Sequence, residues 1–255
     1  VANNWLGDKT GQGFFKKTKT NGNKEILTLN LSSFEYSPRV KTKFASLTAA
    51  KAIDSLPERI KSLYQASDKG GDFMRAFHHA LFSYIGFRIP EISEELYRID
   101  DALKAGFGWE IGPFETWDIL GLDQGLKLIA DNNQLAATWV SEMKAAGITS
   151  FYKLEKGQKM YYDVQTKDYK TIPGTENLVL LDALRSENKV WGNSDTTIVN
   201  LGDGILNLEF HTKMNTIGGG VIEGMNKAID LAEKEYKGLV ISNTGQNFSA
   251  GANVG

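Results

Sequence analysis

The sequence contains no cysteine and only five prolines in 255 residues. The missing thiols exclude disulfides, thiolate nucleophiles and cysteine-ligated zinc, and they agree with a reducing cytoplasm. No apolar run approaches the ~18 residues that span a bilayer, so no membrane span is expected. With 29 basic and 31 acidic side chains the formal charge is -2. Because there is no basic excess, neither nucleic acids nor anionic membranes are expected partners.

The first half of the chain is dominated by helical periodicity. Before it, the sequence predicts only a short strand at 26–31 and an extended linker at 34–44. Apolar residues then recur three or four positions apart as far as residue 147, and the best pattern predicts a helix over about 72–87. We expect Pro90 to end this helix and one apolar stripe to be buried as a unit. That stripe consists of Phe73, Phe77, Ala80, Leu81, Tyr84 and Ile85.

Two β-rich stretches follow the helical region. Residues 148–194 carry aromatic strand patterns, which predict two or three exposed strands. Farther on, runs at 196–201 and 205–210 flank a Gly-Asp-Gly turn, which is typical of a hairpin. An amphipathic helix at 217–236 and a short strand at 238–242 complete what looks like the start of an α/β domain.

The chain contains two glycine-rich motifs. The run G-D-K-T-G-Q-G-F-F at 7–15 is a tight turn that lacks the spacing of a dinucleotide-binding loop. The run G-F-G-W-E-I-G-P-F-E at 106–115 interleaves glycines with aromatic residues and indicates a structural corner. Glu110, Glu115 and Asp118 could be catalytic carboxylates, but acids at helix starts are more often partners of the helix dipole.

These two motifs resemble the recurring signatures of the helical C-terminal domains of 3-hydroxyacyl-CoA dehydrogenases. Together with the α/β start, their order resembles the bacterial fused 3-hydroxyacyl-CoA dehydrogenase/enoyl-CoA hydratase proteins of fatty-acid β-oxidation. The resemblance implies a mainly α fold followed by an incomplete crotonase-like α/β segment. It implies the end of one dehydrogenase C-terminal domain and a linker at 1–45, a second such helical domain at 46–147, a β-rich connector at 148–194, and the N-terminal part of a crotonase-like domain at 195–255.

The terminal run F-S-A-G-A-N-V-G at 248–255 resembles the first oxyanion-hole segment of the crotonase fold. By that resemblance the Ala252 N–H donates to the acyl thioester oxygen, and the carbonyls of Ala250 and Ala252 lie near the adenine of coenzyme A. Asn253 stands where the family often has Asp. The segment 210–215 is implied to pass near coenzyme A.

The resemblance implies a cytoplasmic enzyme that oxidises 3-hydroxyacyl-CoA with NAD and hydrates enoyl-CoA. We expect this chain to be a section of it with neither active site complete, because the nucleotide-binding domain would precede Val1 and the second oxyanion donor would follow Gly255. His78, His79 and His211 are interpreted as structural, and no metal site is expected because no cluster has ligand spacing.

Two further expectations concern partners. The alternative to a section of an enzyme is a noncatalytic packing and dimerisation module, with a homodimer formed through the helical domain. We also expect mobility, or pairing with another chain, after residue 195, since an incomplete α/β unit exposes strand edges.

Overall fold

A computed structural model describes residues 3–20, 22–245 and 247–253. The N-terminal part is a three-stranded antiparallel sheet in the order β1-β2-β3, built from β1 (Phe15–Thr20), β2 (Asn23–Leu29) and β3 (Tyr36–Pro38). The strand predicted at 26–31 is confirmed as part of β2. Its partner β1 and the short β3 inside the expected linker were not predicted.

Seven helices follow this sheet. They are α1 (Ala45–Ala50), α2 (Leu56–Gln65), α3 (Lys69–Glu91), α4 (Leu96–Phe107), α5 (Pro113–Leu120), α6 (Leu122–Asp131) and α7 (Thr138–Ala145). Asp68 caps α3, because its carboxylate accepts hydrogen bonds from the N–H groups of Gly70 at 3.0 Å and Gly71 at 3.2 Å. The expected interruption at Pro90 is confirmed, since Ile89 leaves the helical conformation.

The prediction that one stripe of α3 is buried as a unit is wrong. Phe82, Ile85 and Ile89 are buried, whereas Phe73 is 67% exposed and Tyr84 is 57% exposed. The ring contacts show the physical reason: Trp117 of α5 stacks on Phe82 and covers it, whereas Phe73 stacks on Phe77 of its own helix, which is itself 40% exposed. The helix therefore has two apolar faces, one in the core and one at the surface.

A second antiparallel sheet completes the core of the helical region. It contains β4 (Tyr152–Glu155), β5 (Gln158–Asp163) and β6 (Asp168–Thr171) in that order. The Phe82 ring stacks on Trp117 with centroids 4.7 Å apart, and Phe151 lies 5.0 Å from both Phe114 and Trp117. Because Phe151 comes just before β4, one apolar core joins the helices to the sheet.

The last part is a four-stranded sheet with one helix across it. Its elements are α8 (Leu181–Glu187), β7 (Lys189–Gly192), β8 (Thr196–Gly202), β9 (Ile205–Phe210), α9 (Gly219–Glu235) and β10 (Gly238–Ile241). The strand order is β10-β9-β8-β7, with β10 parallel to β9. The predicted hairpin, helix and strand are confirmed. The elements α8 and β7 were not predicted, and β7 joins the sheet from before residue 195.

The expectation of a mainly α fold is corrected to a mixed α/β fold. Within the described residues there are nine α-helices and ten strands, distributed over three sheets. The prediction missed the short strands at the start of the chain, because runs of lysine and threonine have no apolar alternation to reveal them. Across the described ranges no helix combines the length and the apolar character needed to cross a bilayer.

Candidate functional site

The candidate oxyanion donor lies in the loop after β10. Ala252 forms an isolated parallel bridge with Ile217. Around it, the Ile217 N–H donates to the Gly251 carbonyl at 2.9 Å, and the Asn253 N–H donates to the Ile217 carbonyl at 2.8 Å. In such a bridge the central residue directs its own N–H to the opposite side. The Ala252 N–H therefore points away from Ile217, and no described residue accepts a hydrogen bond from it.

Ala250 has a different backbone environment. Its N–H donates to the Met214 carbonyl at 3.1 Å, so it cannot serve as a second donor. Both Ala250 and Ala252 are exposed, and no described residue donates to either carbonyl. Their contact with an adenine ring stays a prediction. Residues 254 and 255 of the predicted catalytic loop, and Val1, lie outside the described residues.

Asn215 fastens this loop and was not singled out by the sequence. Its side chain is buried, and its Nδ2 donates to the carbonyls of Asn247 at 3.0 Å and Thr244 at 3.2 Å. The Ser249 hydroxyl donates to the Asn215 carbonyl at 2.7 Å and also accepts the Gly251 N–H at 3.0 Å. These four bonds hold the backbone just before Ala252. Asn215 adopts a left-handed φ of 53°, a conformation that asparagine tolerates better than most residues.

A second amide ties the loop to the sheet. The Asn243 Oδ1 accepts the Phe210 N–H at 2.7 Å, at the end of β9, while its Nδ2 donates to the Phe248 carbonyl at 2.5 Å. The rings of Phe210 and Phe248 lie 6.1 Å apart. The loop that carries the candidate donor is thus held by the backbone bridge to Ile217 and by the side-chain amides of Asn215 and Asn243.

The carboxylates of the middle motif form a separate, buried network. Asp100 on α4 is fully buried and accepts the N–H groups of Phe114 at 2.9 Å and Glu115 at 3.1 Å, together with the Tyr152 hydroxyl at 2.9 Å. The first two donors belong to the first turn of α5, which has only Gly112 at its own cap position. Asp100 therefore caps α5 from another helix.

Glu115 completes this cap. It accepts the Gly112 N–H at 2.6 Å, and it pairs with Lys159 and, at 3.5 Å, with Lys104. Burial alone would raise the pKa of Glu115, but Lys159 and the Gly112 N–H outweigh it and hold the pKa below its usual range. The interpretation of Glu115 as a helix-start acid is confirmed.

Asp118 joins the helices to the second sheet. Its carboxylate accepts the N–H groups of Phe151 at 2.7 Å and Tyr152 at 2.8 Å. Burial raises the pKa of Asp118 and of Asp100 to about 7 in each case, against the opposing effect of their hydrogen bonds. Because protein donors already occupy both carboxyl groups, the network stabilises the fold and has no acceptor directed at a ligand.

The histidines show no catalytic arrangement. His78 is buried with its Nδ1 2.8 Å from the Met74 carbonyl, and burial lowers its pKa. The His211 Nε2 lies 3.0 Å from the Thr197 hydroxyl. Neither of these histidines, nor His79, has a carboxylate partner among the described residues, and no group of three metal-ligating side chains occurs in those ranges.

Comparison with known proteins bears directly on the region that holds this network. Residues 88–179 match the family described as 3-hydroxyacyl-CoA dehydrogenase, C-terminal domain. The chain therefore contains a C-terminal domain of the 3-hydroxyacyl-CoA dehydrogenase type. The matched range runs from the end of α3 to beyond β6, so it takes in both the buried carboxylates and the second sheet. The division at residue 147 stays a prediction; the matched range and one apolar core both extend across it.

Relatives of the chain have related names. A protein of Bacillus subtilis (strain 168) named "Probable 3-hydroxyacyl-CoA dehydrogenase" is 36% identical over 98% of this chain and 31% of its own length. Two proteins named "Putative fatty acid oxidation complex trifunctional enzyme" are more distant. The one from Rickettsia prowazekii is 24% identical over 100% of this chain and 31% of its own length, and the one from Rickettsia felis is 25% identical over 98% and 30%. The chain thus spans less than a third of each relative. No solved structure matches it significantly.

Proposed function

We propose that this chain is the section of a fatty-acid oxidation enzyme that supplies a C-terminal domain for the oxidation of 3-hydroxyacyl-CoA with NAD. The match over 88–179 and the 36% identity along 98% of the chain to a probable 3-hydroxyacyl-CoA dehydrogenase carry this proposal. Acyl-CoA is then the substrate class. A cytoplasmic location belongs to the same proposal and is tested by cell fractionation.

We propose further that the last part of the chain contributes to the hydration of enoyl-CoA. The direction of the Ala252 N–H supports this, since it is a backbone donor with no acceptor among the described residues, and an oxyanion hole requires such donors. One donor is not a complete hole. The proposal therefore assigns the remaining groups of both active sites to parts of the enzyme other than the described residues.

The described residues do not fit NAD itself. Their parallel β9–α9–β10 unit is the place where a dinucleotide would bind, with its pyrophosphate at the start of α9. However, the glycines at 218–220 are separated from β9 by a long loop, and the Asp195 carboxylate lies against Gly220. An anion there would meet the negative charge of Asp195, so these residues provide no site for the NAD pyrophosphate.

The experiment compares the complete gene product with two variants of Ala252. Ala252→Pro removes the N–H, whereas Ala252→Gly keeps it and is the matched control. Loss of one oxyanion donor costs ~10²–10³ in kcat. We expect that loss in enoyl-CoA hydration for the proline variant only, with NAD-dependent oxidation of 3-hydroxyacyl-CoA unchanged. A gene product without the oxidation activity refutes the first proposal, and one without hydration refutes the second.

The alternative, a dimerisation module, is favoured by the outer face of α3. Its exposed apolar residues are spaced by four, three, four and three positions, which is the spacing of a coiled-coil seam. They are Phe73, Phe77, Ala80, Tyr84 and Phe87. If two copies pair antiparallel about the small Ala80, Phe73 of one copy faces Phe87 of the other, and Asp72 faces Arg88. The surface is therefore self-complementary, as a two-fold interface requires.

Sedimentation at several concentrations tests this alternative. We expect the wild-type chain to dimerise and Phe77→Glu to be monomeric, because the substitution puts a charge into the seam. Phe34→Glu is the control, since Phe34 is equally apolar and 59% exposed but lies outside α3. A wild-type chain that is monomeric at every concentration would exclude the module.

A further inference from the structure

The nearly neutral net charge hides a strong separation of charge along the chain. Residues 1–44 contain eight basic and three acidic side chains, whereas residues 45–255 contain 21 basic and 28 acidic ones. The N-terminal sheet is therefore basic and the rest of the chain is acidic. Charge asymmetry of this kind indicates a charged partner for one part of a protein.

Strand pairing concentrates the basic residues on one face. In an antiparallel pair, directly opposite residues share a face, and alternate residues of a strand do so too. Phe15 pairs with Thr28, Lys17 with Ile26, and Lys19 with Lys24. Arg39 reaches the same face from the end of β3, where it lines a concavity of about 410 Å³ together with Phe15, Lys17 and Ile26. We name this surface the lysine face; it consists of Phe15, Lys17, Lys19, Lys24, Ile26 and Arg39.

Most of the positive charge on the lysine face has no ion-pair partner among the described residues. Lys19 stands directly opposite Lys24, and like charges in that position destabilise a sheet. Of the four cations, Lys17 has an ion pair, with Asp8 at 2.9 Å, and both of these side chains are exposed. The other three have no ion pair within the described residues. An anionic partner would relieve this repulsion.

We propose that the lysine face docks on an anionic phospholipid bilayer. Phe15 is 55% exposed and Ile26 is 45% exposed, so apolar side chains stand between the cations. Aromatic and aliphatic residues among lysines suit the boundary between headgroups and acyl chains, where lysine stems cover apolar surface and their ammonium groups meet phosphates. Three of the four cations are lysines, a residue that is depleted at protein–protein interfaces relative to the rest of the surface. These features favour a membrane over an acidic protein as the occupant.

The test is co-sedimentation of the chain with vesicles, and it requires no substrate or enzymatic activity. We expect binding to vesicles of phosphatidylcholine with phosphatidylglycerol at low salt, no binding to phosphatidylcholine alone, and release at high salt. Each cation contributes about fivefold to binding, so Lys19→Gln/Lys24→Gln should weaken partitioning by about 25-fold. Phe15→Ser should weaken it while leaving its salt dependence unchanged.

The matched control is Lys227→Gln/Lys234→Gln. Both lysines are exposed on α9, neither has an ion pair among the described residues, and the change in net charge is identical. This control should bind like the wild type. Circular dichroism checks that each variant is folded. The proposal is overturned if vesicles are not bound at low salt or if both double variants lose binding equally. It is also overturned if the lysines only protect the edge of β1, in which case Lys19→Gln/Lys24→Gln self-associates without a change in partitioning.

Discussion

Replacing Asp100 by Asn tests the buried network most directly. In the structure Oδ1 of Asp100 accepts the Phe114 N–H, and Oδ2 accepts both the Glu115 N–H and the Tyr152 hydroxyl. When Asp100 is protonated on Oδ2, the contact with Tyr152 reverses, so that Oδ2 donates to the Tyr152 oxygen and still accepts the Glu115 N–H. The amide of Asn has no lone pair for the second N–H. Because that group is buried, the variant should lose about 1 to 3 kcal/mol of stability at low pH.

The raised pKa of Asp100 determines whether the stability of the wild type rises or falls with pH. Burial raises the pKa of Asp100 to about 7 in the folded chain, while the unfolded value is about 3.9. The folded chain therefore keeps a proton that the unfolded chain releases. The stability contributed by this group is complete below about pH 4 and is lost as the pH rises to 7, by at most about 1.4 kcal/mol per pH unit. Asn does not titrate, so the difference in the free energy of unfolding between wild type and variant should narrow as the pH rises from 5 to 7 and change little above pH 7.

Urea unfolding at pH 5, 6, 7 and 8, followed by tryptophan fluorescence, measures that gap. Asp101→Asn is the control, because Asp101 neighbours Asp100 but is exposed and pairs with Lys104 at the surface. It should change stability by less than about 0.5 kcal/mol at every pH. A gap that widens with pH would show that the ionised Asp100 stabilises the fold, and it would refute the argument from burial.

Two further substitutions test the core and the last sheet. Phe82→Ala should lower the free energy of unfolding by about 3 to 5 kcal/mol, because Phe82 is fully buried. Phe73→Ala, on the outer face of the same helix, should lower it by less than about 0.5 kcal/mol. Equal losses in thermal unfolding would contradict the description of α3 as a helix with two apolar faces. Arg185→Ala should cost about 3 to 5 kcal/mol, since it leaves the buried Glu209 without its cation. Burial would raise the pKa of Glu209, but Arg185 and a threonine hydroxyl outweigh it and hold the pKa below its usual range. The Arg185→Ala variant should therefore lose less stability at pH 4, where an unpaired Glu209 takes up a proton, than at pH 8. A loss of stability that does not depend on pH would contradict the pairing of Arg185 with Glu209.

Local chemistry explains which elements could be predicted. The turn between β8 and β9 requires positive φ, and Asp203 and Gly204 adopt values of 52° and 82°. That signal lies within a few residues of sequence. The amphipathic pattern of α9 is equally local, since its buried Val221, Gly224 and Ala228 recur at helical spacing. Such elements can be predicted because the residues that determine them are neighbours in the chain.

Local sequence could not predict which of the two apolar faces of α3 is buried. Phe73 and Phe82 are both large and apolar, and only the position of the other helices decides which is buried. The lysine face was hidden for a similar reason. Its cations come from β1, from β2 and from the residue that follows β3, and the register that brings Lys19 opposite Lys24 is a property of the folded sheet.

The same reasoning applies to the candidate oxyanion donor. Glycine and alanine residues can identify a loop whose backbone is able to approach a ligand, but the direction of one N–H depends on distant contacts. Here it depends on the bridge to Ile217 and on Asn215, which lies 34 residues before Ser249 and accepts its hydroxyl. A change at Asn215 should therefore displace the Ala252 N–H although Asn215 is distant in sequence, whereas a change of the Ala252 side chain that keeps the N–H should not. The residues that position the loop determine the direction of the Ala252 N–H, whereas the sequence motif identifies only the loop.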